Sequence, residues 1–315
     1  MRTFFNQFLG GETTEECVPK IEALRKNHVG TLLGYNIEAE LDGSSKDPQL
    51  ILAQTQHVLS SIEAQGKLAK QFCPDTRATS GDNRCWVRIK SPLVSKARDN
   101  NVRIVIDAEQ SWYQPVIDSL TDELMQKYNT LDGPATCIAS FQAYLRRYPQ
   151  LLDHQIRRAD ERGYKLLFKQ VRGAYMVSEA ERWRAGGNDG EGPVWSTKEE
   201  TDTSFNYGVE KTLSTIADQL RSTGHSRIRV VFATHNSISV DVGIKLMEEH
   251  GLAQRETGNE RLWVTNGAAG SIAYAQIYGM KDDLTNRIAG SLASESGLPL
   301  VVKVRYAERL ESLKF

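Results

Sequence analysis

RIRVVFATHN, residues 227–236, is the stretch from which the architecture can be read. Its apolar residues fall on successive positions, as in IRVVF (228–232), where a half-exposed strand would alternate. A strand buried on both faces has that pattern, and such strands belong to parallel sheets covered by helices. The run then ends in Thr234, His235 and Asn236, three hydrogen-bonding side chains in succession. Runs of the same kind occur at 30–35, 85–90, 102–107, 137–143, 165–171, 272–278 and 298–304, which with 227–233 makes eight predicted strands. Between them the periodicity predicts helices over 14–26, 48–72, 114–128, 148–162, 201–223 and 240–250. This α/β alternation predicts one domain over residues 1–315, a TIM-type (β/α)8 barrel, whose usual size is about 250 residues plus insertions. An open doubly wound sheet is the alternative arrangement of the same elements.

Composition narrows the function classes. The chain has 315 residues, 40% hydrophobic and 25% charged, which is a globular balance. Lys and Arg number 39 against 40 Asp and Glu, so no overall field draws the protein to nucleic acid or an anionic membrane. The four cysteines, Cys17, Cys73, Cys85 and Cys137, form no CxxC pair and have no His at ligand spacing. They read as reduced structural thiols rather than a zinc site, and no metal is expected. No apolar run reaches the roughly 18 residues of a membrane span, and the acidic residues near the start do not suit a leader, so an intracellular protein is expected. GxGxxG and GxxxxGK[ST] are both missing. The Gly-rich stretch RAGGNDGEGP (184–193) therefore reads as a mobile surface loop rather than a phosphate cradle.

The residues that carry chemistry stand at strand C-termini, which in a barrel converge on one mouth. Lys90 ends WVRIK (86–90), Asp107 ends VRIVID (102–107), and Gln142 closes the run from Cys137. Asp107 follows a mostly apolar run, where a carboxylate needs a partner; Lys90 is the natural one. Such a bridge is equally compatible with a structural and a catalytic role. KQVRGAY (169–175) supplies two cations, Lys169 and Arg172, then Gly173, where a ligand can approach the backbone, and Tyr175, which can wall a pocket.

Together these segments resemble the flavin-dependent proline dehydrogenases, particularly the fungal and other eukaryotic single-function type. The similarity rests on GYNIEAE (34–40), WVRIKSPL (86–93), VIDAEQSWYQP (105–115), SFQAYLRR (140–147), KQVRGAYM (169–176), TKEETD (197–202) and FATHN (232–236). The resemblance implies a distorted barrel with FAD at the strand C-termini, lined by Asp107, Gln142, Lys169, Val171, Arg172, Gly173, Ala174, Thr234, His235 and Asn236. It implies that Lys169 sits by the flavin atom that receives hydride. It also implies that Lys90, Asp107, Tyr175 and Ile277 form the substrate pocket, with Lys90 and Asp107 bridged. The activity implied is hydride transfer from L-proline or a related secondary amine, giving pyrroline-5-carboxylate from proline. Electrons then pass to an acceptor such as a quinone. A mitochondrial location is implied by the family; the sequence alone is equally compatible with the cytoplasm.

The C-terminus departs from the family's pattern. Family members carry an Arg-Arg helix after the last strand, which clamps the substrate carboxylate. Here the corresponding stretch is VVKVRYAERLESLKF (301–315), so the last helix is expected to be short or missing, with Tyr306 and Arg309 as the nearest substitutes. Three readings follow: a divergent flavoenzyme for a different secondary amine, a truncated chain or flavin-binding pseudoenzyme, and a scaffold without catalysis.

Overall fold

Strand β12 (Val301–Ala307) turns a sheet into a barrel, because it pairs in parallel with β10 (Ile272–Ile277) on one side and with β2 (Val29–Tyr35) on the other. The computed structural model describes residues 9–11, 13–35, 48–72, 78–81, 90–255 and 261–307. The ring runs from β2 through β3 (Ala78–Gly81), β4 (Val102–Val105), β5 (Cys137–Gln142), β6 (Leu166–Val171) and β7 (Ile228–Ala233) to β10, then β12 and back to β2. Every pairing in it is parallel. A short strand β1 (Leu9–Gly11) adds to β12 opposite Tyr306 and Ala307. The distortion lies on one side: the β2–β3 ladder is confined to Leu33↔Ser80 and Gly34↔Gly81, and β4–β5 to Ile104↔Cys137 and Val105↔Ile138.

Alternation along each strand sends side chains to two different cores. Leu32, Val105, Ile138 and Leu167, with Val304, form the small apolar cluster inside the barrel. Other strand residues, including Phe168, Phe232, Tyr274 and Val301, pack in the main core. Burying each such side chain stabilises the fold by about 1.5–3 kcal/mol. The helices are α1 (Thr14–Lys26), α2 (Pro48–Phe72), α3 (Lys90–Asp99), α4 (Gln114–Tyr128), α5 (Tyr148–Arg162), α6 (Met176–Ala185), α7 (Lys198–Thr223), α8 (Ser237–Glu249) and α9 (Asp282–Ser291). Local chemistry sets their starts. Thr13 caps α1 by accepting from the Glu16 N–H, and Thr197 with Glu200 forms a capping box at α7. No helix among the described residues is long and apolar enough to cross a membrane.

Several sequence expectations are corrected here. The ring position between β2 and β4 is held by β3 at Ala78–Gly81; of the strand expected at 85–90, residues 85–89 lie outside the described residues, and Lys90 opens a helix. Pro92 explains that start, since the first turn of a helix is where proline's missing N–H costs nothing. The last strand begins at Val301 rather than Leu298, because Pro299 cannot donate to a ladder. Helices α3, α6 and α9 are additional, as is a small sheet of β8 (Ala253–Arg255), β9 (Leu262–Val264) and β11 (Leu292–Ser294) outside the ring. The 184–193 stretch follows α6 and is tied back at its end: the Arg146 N–H donates to the Pro193 carbonyl and its guanidinium meets Glu191 at 3.0 Å. Cys17 and Cys137 are buried thiols, while Cys73 and Cys85 lie outside the described residues. So do residues 308–315, where the last helix is expected to be short or missing.

Candidate active site

The mouth at the strand C-termini is built from two ion pairs set side by side on β4 to β7. Asp107 leaves the end of β4 with its carboxylate against the Lys169 ammonium from the middle of β6, and the Ser140 hydroxyl of β5 donates to the same oxygen at 3.1 Å. Both ionic side chains are largely buried, 16% exposed for Lys169 and 20% for Asp107. In the second pair, Arg172 meets Asp202 of α7. The Arg172 guanidinium also donates to Thr234 Oγ1 at 3.2 Å and Ser239 Oγ at 2.6 Å, and lies 4.7 Å over the Phe205 ring. Burial draws its pKa down while Asp202 opposes that shift. Five donors in a fixed fork let one arginine tie β7, α7 and α8 together.

The FATHN segment is organised by those contacts. Thr234 accepts from Arg172 and from the Asn236 N–H at 3.1 Å, and Asn236 caps α8 by accepting from Ile238 N at 2.9 Å and Ser239 N at 3.3 Å. His235 Nε2 accepts the Ile277 N–H at 3.1 Å, which fixes the proton on Nδ1 and leaves that N–H to donate. Burial first, and then the charges of Lys303 and Lys281, hold the His235 pKa below its ordinary value. Lys303 is 2% exposed on β12; its ammonium donates to the Met280 carbonyl at 2.6 Å and meets Asp282 at 2.8 Å, fixing the turn after Ile277.

Gln142, on the last turn of β5, donates to the Glu109 carbonyl at 2.7 Å and to the Tyr144 hydroxyl at 3.0 Å. Its Oε1 is buried and has no hydrogen-bond partner among the described residues. Val171 is in register with Gln142 and with Ala233, and Gly173 and Ala174 follow it, exposed. Gly173 has a specific steric reason: a Cβ there would stand 3.1 Å from the Tyr144 ring.

Among the residues singled out from sequence, the fold therefore brings Asp107 to Lys169, Arg172 to Thr234 and Asn236, and His235 to Ile277. The partner expected for Asp107 was Lys90; the described partners are Lys169 and Ser140. Lys90 stands at the first position of α3, and its side chain is outside the described residues, as is Arg309. Tyr306 is placed by its backbone alone, on β12 opposite Gly34. Sequence reasoning missed Asp202, although TKEETD held the signal: Thr197-x-x-Glu200 is a capping box, which starts α7 three residues earlier than expected and puts Asp202 in its first turns. It also missed Ser140, Ser239 and Lys303, which nothing in the sequence distinguishes from ordinary strand and helix residues.

A family model for proline dehydrogenase matches residues 17–315. The chain is 33% identical over 202 residues to proline dehydrogenase 1, mitochondrial, of Caenorhabditis elegans, an alignment covering 64% of this chain and 29% of that protein. It is 28% identical over 295 residues to the carbapenem antibiotics biosynthesis protein CarD of Pectobacterium carotovorum, covering 88% of this chain and 69% of the relative. In fold it is similar to proline utilization A of Bdellovibrio bacteriovorus, crystallised after inactivation by N-propargylglycine, with a TM-score of 0.76 and 16% identity. That match covers 98% of this chain and 31% of the other. The chain thus spans less than a third of the length of the nematode relative.

Proposed function

Starting from the fact that the chain belongs to the proline dehydrogenase family, we propose that it binds FAD at the barrel mouth and oxidises L-proline to pyrroline-5-carboxylate. The single observation that carries the cofactor reading is Gln142: a buried acceptor with no donor among the described residues, on the strand whose Ser140 meets the Lys169–Asp107 pair, suits a ligand that offers an N–H and gains negative charge. FAD, when bound, accepts the hydride that leaves the proline carbon beside nitrogen. Gln142 Oε1, the His235 Nδ1–H, Arg172 and the exposed backbone of Gly173 and Ala174 are the groups that would hold it. A quinone is the proposed onward acceptor, and the proposed location is mitochondrial, as in the names of several relatives.

The protein's own part is electrostatic and steric. Hydride departs only as the nitrogen lone pair closes the C=N bond, so the amine reacts deprotonated and the substrate needs no strong protein base. Lys169, fixed by Asp107, keeps a positive charge at the mouth without reorganising. In this reading Tyr175 and Ile277 would wall the space in which a small ring sits, and a fixed wall holds the reacting carbon in a near-attack position. The test is the visible spectrum of the purified, FAD-reconstituted protein under anaerobic conditions during titration with L-proline. The proposal expects an oxidised flavin band that bleaches. A band that persists sends the search to other cyclic or N-alkylated amines, and no band at all overturns the cofactor assignment.

A further inference from the structure

Glu179 on α6 is 1% exposed, yet it makes no ion pair among the described residues. Both of its carboxylate oxygens are taken by one residue on another loop: the Ser111 N–H donates to Oε1 at 2.5 Å and the Ser111 hydroxyl to Oε2 at 2.6 Å. A buried carboxylate is costly unless hydrogen bonds replace its hydration, and bonds to a charged acceptor are about twice as strong as neutral ones. The contact joins the loop that starts at Asp107 to the helix that starts beside Tyr175. Alongside it the Arg182 guanidinium lies 4.3 Å over the Trp112 ring, a second bond between the same two elements. The loop is fixed at its middle as well, since the Glu109 N–H donates to Gln114 Oε1 at 2.7 Å and the Glu109 carbonyl accepts from Gln142. On the other side, the Tyr175 carbonyl accepts the Glu179 N–H at 2.9 Å, and Gln142 reaches the Tyr144 hydroxyl at 3.0 Å. The result is a continuous chain of contacts from Tyr144 through Gln142, Glu109, Ser111 and Glu179 to Tyr175.

We infer that Glu179 is a positioning residue: by clamping Ser111 it sets the distance between Asp107 and Tyr175, and so the width of the space between the Lys169–Asp107 pair and the aromatic wall. This rests on the proposed function for what occupies that space. The geometry of the clamp does not depend on it. Misplacing a wall by about 1 Å lowers turnover about 100-fold when the reacting atoms must meet in line. Glu179→Gln keeps the length of the side chain and one carbonyl acceptor for the Ser111 N–H, but it loses the charge. Ser111→Ala removes only the hydroxyl bond. A graded series therefore follows, with Ser111→Ala mildest and Glu179→Ala most severe.

The test uses the full chain reconstituted with FAD and two independent readouts. Hydrogen exchange at the Ser111 amide reports the clamp itself, with no need for turnover; exchange is expected to quicken in Glu179→Ala and to be partly restored in Glu179→Gln. Anaerobic stopped-flow with L-proline reports the positioning: the limiting rate of flavin reduction is expected to fall roughly 10- to 100-fold in Glu179→Ala. FAD affinity should stay within about twofold, and Glu179→Gln should fall between. Faster Ser111 exchange with an unchanged reduction rate overturns the inference. So does a parallel loss of FAD and activity in every variant, which marks a merely structural residue. If the unmodified protein bleaches with no proline at all, the substrate reading fails while the exchange experiment still decides whether the clamp exists.

Discussion

Replacing Asp107 by Asn and Lys169 by Met, singly and together, measures how strongly the mouth is held. The two charges are in contact and about four-fifths buried. At an effective dielectric of about 20 and a contact separation of about 3 Å, Coulomb's law gives roughly 5 kcal/mol of attraction. Desolvation offsets part of that, and removal of one partner from a buried pair costs about 3–5 kcal/mol because the other charge is left behind. The remaining exposure moves the expected cost of either single change to about 2–3 kcal/mol. Asn at 107 still accepts the Ser140 hydroxyl, so the charge alone is tested. The double variant leaves no stranded charge and should cost far less than the sum, giving a coupling of about 2–3 kcal/mol. Urea unfolding of all four proteins without added ligand, followed by tryptophan fluorescence, provides the numbers. Additive costs, with a coupling below about 0.5 kcal/mol, would falsify the view that these residues form one buried unit.

Two further expectations concern the shell around the site and its pH dependence. A Cβ added at Gly208 would stand 1.9 Å from the Tyr148 hydroxyl oxygen, so Gly208→Ala should lose about 1–3 kcal/mol by overpacking despite the better helix former. Adding Tyr148→Phe removes a hydroxyl that has no partner among the described residues and should recover part of the loss in thermal melts; a deeper loss would show that the clash is not the cause. For His235 the folded pKa is depressed, so its contribution to stability is fully present above the unfolded value of about 6.5 and is lost as pH falls through the folded value. Stability measured between pH 7.5 and 5 should therefore decline less in His235→Asn than in the unchanged protein, and equal slopes would contradict the assignment.

The legible part of the fold was the part whose chemistry is local. β5, β6 and β7 were readable because strands covered on both faces carry apolar residues on successive positions, and their ends stand within a residue of the expectation. The run at 85–90 misled because a short apolar alternation next to a proline reads alike as a strand end or as the approach to a helix. Helix α9 begins directly beyond the mouth, where the polar residues that open it read as loop, and α6 follows the RGAY turn too closely for its short apolar start to stand out. At the site, the carboxylate at 107 was conspicuous because it follows an apolar run. Its partner was not: Lys90 is the near candidate in sequence, whereas Lys169 stands 62 positions away and is supplied by the register of β4, β5 and β6. Glu179 shows the same limit, since an acidic residue in the first turn of a surface-looking helix gives no sign of lying buried under another loop.

The ring of strands has a further consequence, for the order in which the protein is made. β12 is the strand that meets β2, and it also receives β10 and β1, so three partners from opposite ends of the chain wait for residues 301–307. Until those residues leave the ribosome, β2 and β10 are both open edges, each able to pair with a neighbouring chain. Closing the ring joins segments about 270 residues apart, a contact of very high sequence separation that comes late and slowly. A chain synthesised only as far as β11 thus carries an incomplete barrel with two open edges. The emergence of β12 is therefore the step that covers both edges at once.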